Sequence, residues 1–164
     1  MKLTTVERLT LLNQYRILEK VDPDNASVYK EATEILRSGY TLEYWSALMN
    51  GIDPDEMSED DCREVIDILS LYRALKKALR DLPEGTLAAK DAEFPGFDGN
   101  EESKHFAYTK FLIEDQHKFG ESQALNSHWP GNLQRYRARV AAWKESADKW
   151  ELTAEDVKRI LSQK

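Results

Sequence analysis

The sequence predicts an all-α protein, a multihelical bundle of about six to seven helices in two layers around a shared core. Three observations carry that expectation. Apolar residues recur at steps of three and four along nearly the whole chain. Helix-start signatures precede several of these runs, as in Thr4-Thr-Val-Glu7, Ser58 and Thr153. Breaker residues, in turn, are bunched: residues 83–100 hold three of the seven glycines and two of the five prolines.

Thr4 and Glu7 form a capping box, each side chain satisfying a free amide of the first turn. Behind them Val6, Leu9, Leu12, Tyr15 and Leu18 are expected to make one buried stripe ending near Val21. Asp22-Pro-Asp-Asn25 restarts the chain, since proline is tolerated in a first helical turn. Val28, Tyr29, Ala32, Ile35 and Leu36 follow the amphipathic template, and Gly39 supplies a left-handed stop. A short helix is expected over 41–49.

The acidic turn 50–61 invites comparison with a calcium loop because Asp53 and Asp55 alternate. Counted from Asp53, the twelfth place is Glu64, but the fifth is Met57 and the sixth is Ser58 instead of glycine, so the loop pattern fails. Capping explains the same residues: Ser58 caps the next helix, Met57 and Cys62 staple it, and Glu59, Asp60 and Asp61 oppose its dipole. That helix, about 59–82, is expected to bury Cys62, Val65, Ile66, Leu69, Tyr72, Leu75, Leu79 and Leu82, with Arg73, Lys76, Lys77 and Arg80 at its basic end. The 83–100 stretch is the candidate sub-boundary within a single domain spanning 1–164.

Pro95-Gly96 suits the centre of a type II turn, flanked by Phe94 and Phe97 as apolar anchors. Asp98 to Glu101 then caps a helix expected over 100–119. A second loop, 120–131, leads to Trp129, Leu133, Tyr136, Val140, Trp143, Ala147 and Trp150, a heptad face. Leu152 and Val157 staple a last helix capped by Thr153.

Thirty acids against 23 bases leave a formal charge of -7, which disfavours phosphate backbones and anionic lipid, so neither nucleic acid nor membrane is expected as a partner. Only residues 133–164, with 8 bases and 5 acids, are net basic. The one cysteine, Cys62, allows no intrachain disulfide, and Glu7 and Arg8 interrupt any early apolar run, so a cytoplasmic protein without a signal peptide is expected.

The chemistry that can be tested lies in three histidines. Glu102-Ser-Lys-His105 and Glu114-Asp-Gln-His117 are both Glu-x-x-His, the half-motif of di-iron carboxylate bundles. Both fall on one expected helix, 12 residues or roughly 18 Å apart, so they cannot converge within one chain, although a dimer axis could pair copies. Glu102, His105, Glu114 and His117 are therefore the metal candidates, with Asp115 beside them. His128, in a loop next to Trp129, is the other functional candidate, read first as a loop anchor. No nucleophile elbow and no glycine-rich phosphate cradle is present, and the acids around Cys62 discourage a reactive thiol. No cofactor and no catalytic set is assigned.

"RLTLLNQYRILEKVDPDNASVY" (8–29), "GY" (39–40), "CREVIDILSLYRAL" (62–75), "FPGFDGNEESKHFAYTKFLI" (94–113) and "QRYRARVAAW" (134–143) stand in the order, and cover the length, of the YfbU family of small bacterial proteins, which the chain resembles. Asn13-Gln14-Tyr15, Asp22-Pro23, Asn25-Ala26 and Gly96-Phe97-Asp98 carry most of the resemblance. It implies an all-helical, soluble, oligomeric protein and supplies no activity. The 53–61 stretch and the 120–132 loop depart from it.

The expected function is a non-enzymatic protein-interaction module that forms a homo-oligomer and binds a protein partner. Its contact candidates are Trp45, Phe94, Phe97, His128 and Trp129, since buried aromatic anchors are what interfaces use. The alternative is a metal-dependent or hydrolytic enzyme gathering His105, His117 and His128 with nearby acids. Nucleic-acid binding through 135–164 is a weaker third.

Overall fold

The side-chain caps expected at Thr4, Ser58 and Thr153 are present in the computed structural model, which describes residues 1–120, 126–128 and 132–163. The elements are all helical: α1 (Thr5–Val21), a 3-10 turn (Pro23–Asn25), α2 (Ala26–Ser38), α3 (Tyr44–Leu48), α4 (Glu59–Asp81), α5 (Ala89–Ala92), α6 (Ser103–Lys110) continued by a π-helical turn (Phe111–Asp115), α7 (Asn132–Lys144) and α8 (Ala154–Leu161). The chain divides into two compact units, Met1–Glu56 and Met57–Lys164. The break falls in the acidic turn before α4. Residues 83–100 sit inside the second unit because Leu87, Ala92, Phe94 and Phe97 are buried in its core.

The first unit is a hairpin of α1 and α2 followed by α3. Thr4 and Glu7 close the capping box on α1, and Gly39 ends α2 at φ +73°. The expected α1 stripe is not one face. Steps of three at 100° per residue slip back 60° each time, so the run from Val6 to Leu18 winds around the helix and does not stay on the side that meets α2. Only Leu12 is buried; Leu11 and Tyr15 are half-buried, and Val6, Leu9, Leu18 and Val21 are exposed. In α2, Ala32, Ile35 and Leu36 are buried while Val28 is exposed.

The second unit is built on α4, capped by Ser58, whose hydroxyl accepts the Asp61 amide proton at 3.1 Å. Val65, Ile68, Leu69, Leu71, Tyr72, Ala74, Leu75 and Ala78 are buried, a wider arc than a single stripe because α5, α6 and α7 all pack against α4. Ile66 and Leu79, expected inside, are partly exposed.

The 94–97 segment closes the core. Phe94, Phe97, Tyr72 and Tyr136 meet in a ring cluster with centroids 5.3–5.9 Å apart. Gly96 takes φ +95° as the turn requires, and its carbonyl accepts the Tyr136 hydroxyl at 2.7 Å. Phe97 pairs with Asn126, and Gly99 donates its amide to Asn126 Oδ1 at 3.1 Å. A Cβ on Gly99 would lie 2.6 Å from Asn126 Nδ2, so only glycine fits there.

The helix expected over 100–119 is shorter. Asp98 Oδ1 accepts the Asn100 and Glu101 amides, delaying the helix to Ser103. It widens into the π turn at Phe111 and stops before His117 and Phe119, which take φ +51° and +57°. The heptad face also breaks early, since α7 ends at Lys144. Trp150 still returns to Trp143, edge-on at 6.0 Å, and Trp143 Nε1 donates to the Lys149 carbonyl at 2.7 Å. Leu152 and Val157 are buried beside the Thr153–Asp156 capping box of α8.

Candidate interaction surface and histidine sites

The α1–α2 hairpin is held on one side of α1. Arg8 donates from Nε and Nη2 to the Leu36 carbonyl at 3.0 and 2.7 Å and from Nη2 to the Arg37 carbonyl at 3.0 Å, satisfying the open end of α2. Tyr15 and Tyr29 meet with ring centroids 6.2 Å apart. The Tyr29 hydroxyl donates to Asp22 at 2.6 Å and Asn25 to the same oxygen at 2.9 Å; these two bonds, the Tyr29 bond first, hold the Asp22 carboxyl below its ordinary range.

The opposite side of α1 is bare. Val6, Thr10, Gln14 and Leu18 form one i,i+4 row and Leu9, Asn13, Ile17 and Val21 the adjacent one, and all eight are exposed. Val6 is 72% exposed, Val21 70% and Ile17 62%. The face is apolar at both ends with two amides in the middle. It also reads nearly the same in both directions: reversal about the Asn13–Gln14 bond exchanges Val6 with Val21, Leu9 with Leu18 and Asn13 with Gln14, and only the exchange of Thr10 with Ile17 joins unlike side chains. Among the described residues, eleven of the 15 exposed large hydrophobic ones belong to the first unit, against five buried ones there: Leu12, Ala32, Ile35, Leu36 and Tyr44.

The aromatic contact candidates separate. Trp45, on α3, is 52% exposed. Phe94 and Phe97 lie in the core of the second unit, where they anchor the turn between them. His128 is exposed at φ +49°, its amide donating to Asn126 Oδ1 at 3.0 Å. Trp129 lies outside the described residues.

The Glu-x-x-His pairs do not act as pairs. Glu102 is not yet helical; it is buried and turns its carboxylate to the backbone, accepting the Asp98 amide at 2.9 Å and the Leu133 amide at 3.0 Å. It fastens the 94–98 turn to the start of α7. His105 reaches instead to α4, where its Nε2 is 3.0 Å from Glu64 Oε2, and its ring lies 5.4 Å from that of Phe97. Glu114 pairs with Lys110 at 3.7 Å, and Asp115 and His117 are exposed.

Among the described residues, the ligand atoms of Asp61, Glu64 and His105 lie within 4.8 Å of one another. Arg137 of α7 occupies this corner too, donating from Nε to Glu64 Oε1 at 2.6 Å and from Nη2 to Oε2 at 3.0 Å. Burial alone pushes the Glu64 carboxyl up, but the bonds from Arg137 and then His105 outweigh it and hold the group below its ordinary value of 4.5. A cation would have to displace Arg137 from both oxygens. As it stands the cluster braces α4, α6 and α7. Asp61, Glu64 and Arg137 carried no sequence signal for this role, because Glu64 and Arg137 are 73 residues apart.

A family model described as the YfbU domain matches residues 1–163. Among curated relatives, UPF0304 protein MJECS11 of Methanocaldococcus jannaschii is 36% identical over 171 residues, covering 98% of this chain and 99% of that protein. Among the described residues, no helix is long and apolar enough to cross a membrane.

Proposed function

The chain belongs to the YfbU family, and from that premise we propose that it is a non-enzymatic interaction module that self-associates by packing α1 against α1 of a second copy. The observation that carries this reading is the exposed, reversible α1 face. A two-fold contact brings a surface onto itself, so its residues must match when the direction is reversed. Two adjacent i,i+4 rows are also what ridge-into-groove packing interlocks, at a crossing of about -50°. The central Asn13 and Gln14 amides would bond across the axis and fix the register.

Five apolar side chains from each copy would leave water, worth on the order of 10 kcal/mol together at partial coverage. Association itself costs about 4–15 kcal/mol. A dimer in the micromolar range is the balance expected. The small core of the first unit gives the face a second reason to be covered, since a hairpin of this size is marginal alone.

Sedimentation of the full chain between about 1 and 100 μM, bracketing that range, tests the reading. A reversible dimer that Ile17→Lys weakens at least tenfold supports it; position 17 is exposed, so the substitution leaves the hairpin intact. A monomer at every concentration would sink it. The metal-dependent alternative would begin at Asp61, Glu64 and His105. Stoichiometric transition metal in the purified protein, lost on His105→Ala, would favour that alternative instead.

A further inference from the structure

We propose that α3 and the turns on either side of it form a docking surface for a basic amphipathic helix of another protein. Tyr40, Leu42, Trp45 and Ile52 are exposed within this one short stretch, Leu42 by 88%. None of them belongs to the α1 face. A single exposed apolar side chain needs no explanation, but a group of large ones on one small element marks an interaction site. Tryptophan and tyrosine are also the side chains that dominate binding energy at interfaces.

The surface follows from how α3 is seated. Tyr44, Ala47 and Leu48 stand three and four apart and turn inward, where α3 packs against α2. Tyr44 is buried, and Ala47 and Leu48 are half-buried. Trp45 is left on the outer side, one turn after Leu42. Backbone bonds tie the stretch together. The Glu43 amide donates to the Tyr40 carbonyl at 3.0 Å, Ala47 to Glu43 at 3.0 Å, Met49 to Trp45 at 3.1 Å and Ile52 to Met49 at 3.1 Å. The apolar groups are therefore held out in advance, which lowers the ordering cost of binding.

Charge identifies the occupant. Within the first unit, residues 1–37 carry six bases and six acids, whereas residues 38–56 carry four acids and no base. Glu43 adjoins Leu42 in the chain, and Asp53 adjoins Ile52. Both carboxylates meet neutral donors: Glu43 accepts the Ser46 hydroxyl at 3.5 Å, and Asp53 accepts the Asp55 amide at 2.9 Å. Hydrogen bonds from neutral groups leave the negative charge in place. An apolar surface edged by carboxylates selects an apolar stripe edged by lysine or arginine, the pattern of a basic amphipathic helix. The same sign of charge turns away nucleic acid and anionic lipid.

A second copy of this chain is the wrong occupant. A two-fold contact here would bring two like-charged surfaces together. In the net basic stretch 133–164, Arg137, Lys144 and Arg159 are already paired with Glu64, Asp67 and Asp156.

Calorimetry and backbone-amide shift mapping of the full chain test the proposal, with a synthetic lysine–leucine amphipathic helix of about 15 residues as the probe. Saturable binding is expected, with shifts confined to 40–56 and affinity at least tenfold lower in Trp45→Ala and in Leu42→Ser. Both side chains are exposed, so neither change disturbs the hairpin. Glu43→Lys combined with Asp53→Lys should weaken binding as well, by a factor that shrinks as salt is raised. Leu9→Ser, on the α1 face, should leave it unchanged. Absence of saturable binding, or equal affinity in wild type and the α3 variants, would overturn the proposal. So would equal binding of a lysine–serine peptide of the same charge, which offers no apolar stripe, or shifts centred elsewhere in the chain. If Trp45→Ala instead weakens the dimer seen in sedimentation, the surface meets a copy of this chain and the foreign partner is refuted. Ile17→Lys should abolish self-association and spare peptide binding, so the two readings fail independently.

Discussion

Replacing Glu102 by glutamine changes one atom and tests whether that carboxylate is the fastener between the 94–98 turn and α7. Its two oxygens accept separate backbone amides, from Asp98 and Leu133, in a buried setting. Hydrogen bonds to a charged group are worth about 1.5–3 kcal/mol each. In the amide one oxygen becomes an NH2 that faces a backbone N–H, so one bond is lost and two donors are left opposed. The surviving bond loses its charge. The shape is unchanged, so no cavity term enters, and a loss of about 3 kcal/mol follows. Urea unfolding followed by tryptophan fluorescence reports it, because Trp45 is the only one of the four tryptophans outside the second unit. With a slope of about 1.5 kcal/mol/M, the midpoint should fall by about 2 M while the slope is unchanged. Glu101→Gln, at an exposed side chain, should stay within about 0.5 kcal/mol of wild type. A Glu102→Gln midpoint matching that control would refute the reasoning.

Gly99→Ala should cost about 1–3 kcal/mol through its clash with Asn126. Combined with Asn126→Ala it should cost less than the two singles together by about 1 kcal/mol, and strict additivity would contradict the close approach. For Glu64, a depressed folded-state pKa means stability that is fully present above its ordinary value of 4.5 and lost as pH falls through the folded value. The stability gap between wild type and Glu64→Gln should therefore be constant above pH 4.5 and shrink below it in a series of melts; a gap that widens in acid would reverse the assignment. Arg8→Ala removes the guanidinium from two α2 carbonyls, and a loss of about 2 kcal/mol should raise hydrogen exchange of the α2 amides roughly 30-fold. Unchanged protection would show that solvent satisfies those carbonyls equally well.

What could be read from the sequence was local. Thr4 with Glu7, Ser58 with Asp61, and Thr153 with Asp156 each act over three residues, and the structure has all three. Gly39 and Gly96 were legible for the same reason, since a positive φ is a property of one residue. The roles of Glu102 and Glu64 were not legible. Their partners Leu133 and Arg137 lie 31 and 73 residues away, and no spacing rule reaches that far. The Glu-x-x-His pattern misled because it assumes a helix: with helix geometry absent at Glu102, the carboxylate folds back onto Asp98 instead of lining up beside His105. The bare face of α1 was hidden by treating steps of three as one stripe.

The Trp143–Trp150 contact gives the molecule an optical gauge of its own. Two indoles 6.0 Å apart and inclined by 78° couple their electronic transitions, which splits the ultraviolet dichroism into a paired positive and negative band. Trp150 also borders a hollow lined by Arg73, Lys77 and Arg80. Any occupant that shifts that ring should change the splitting, so the event can be watched in the unlabelled protein.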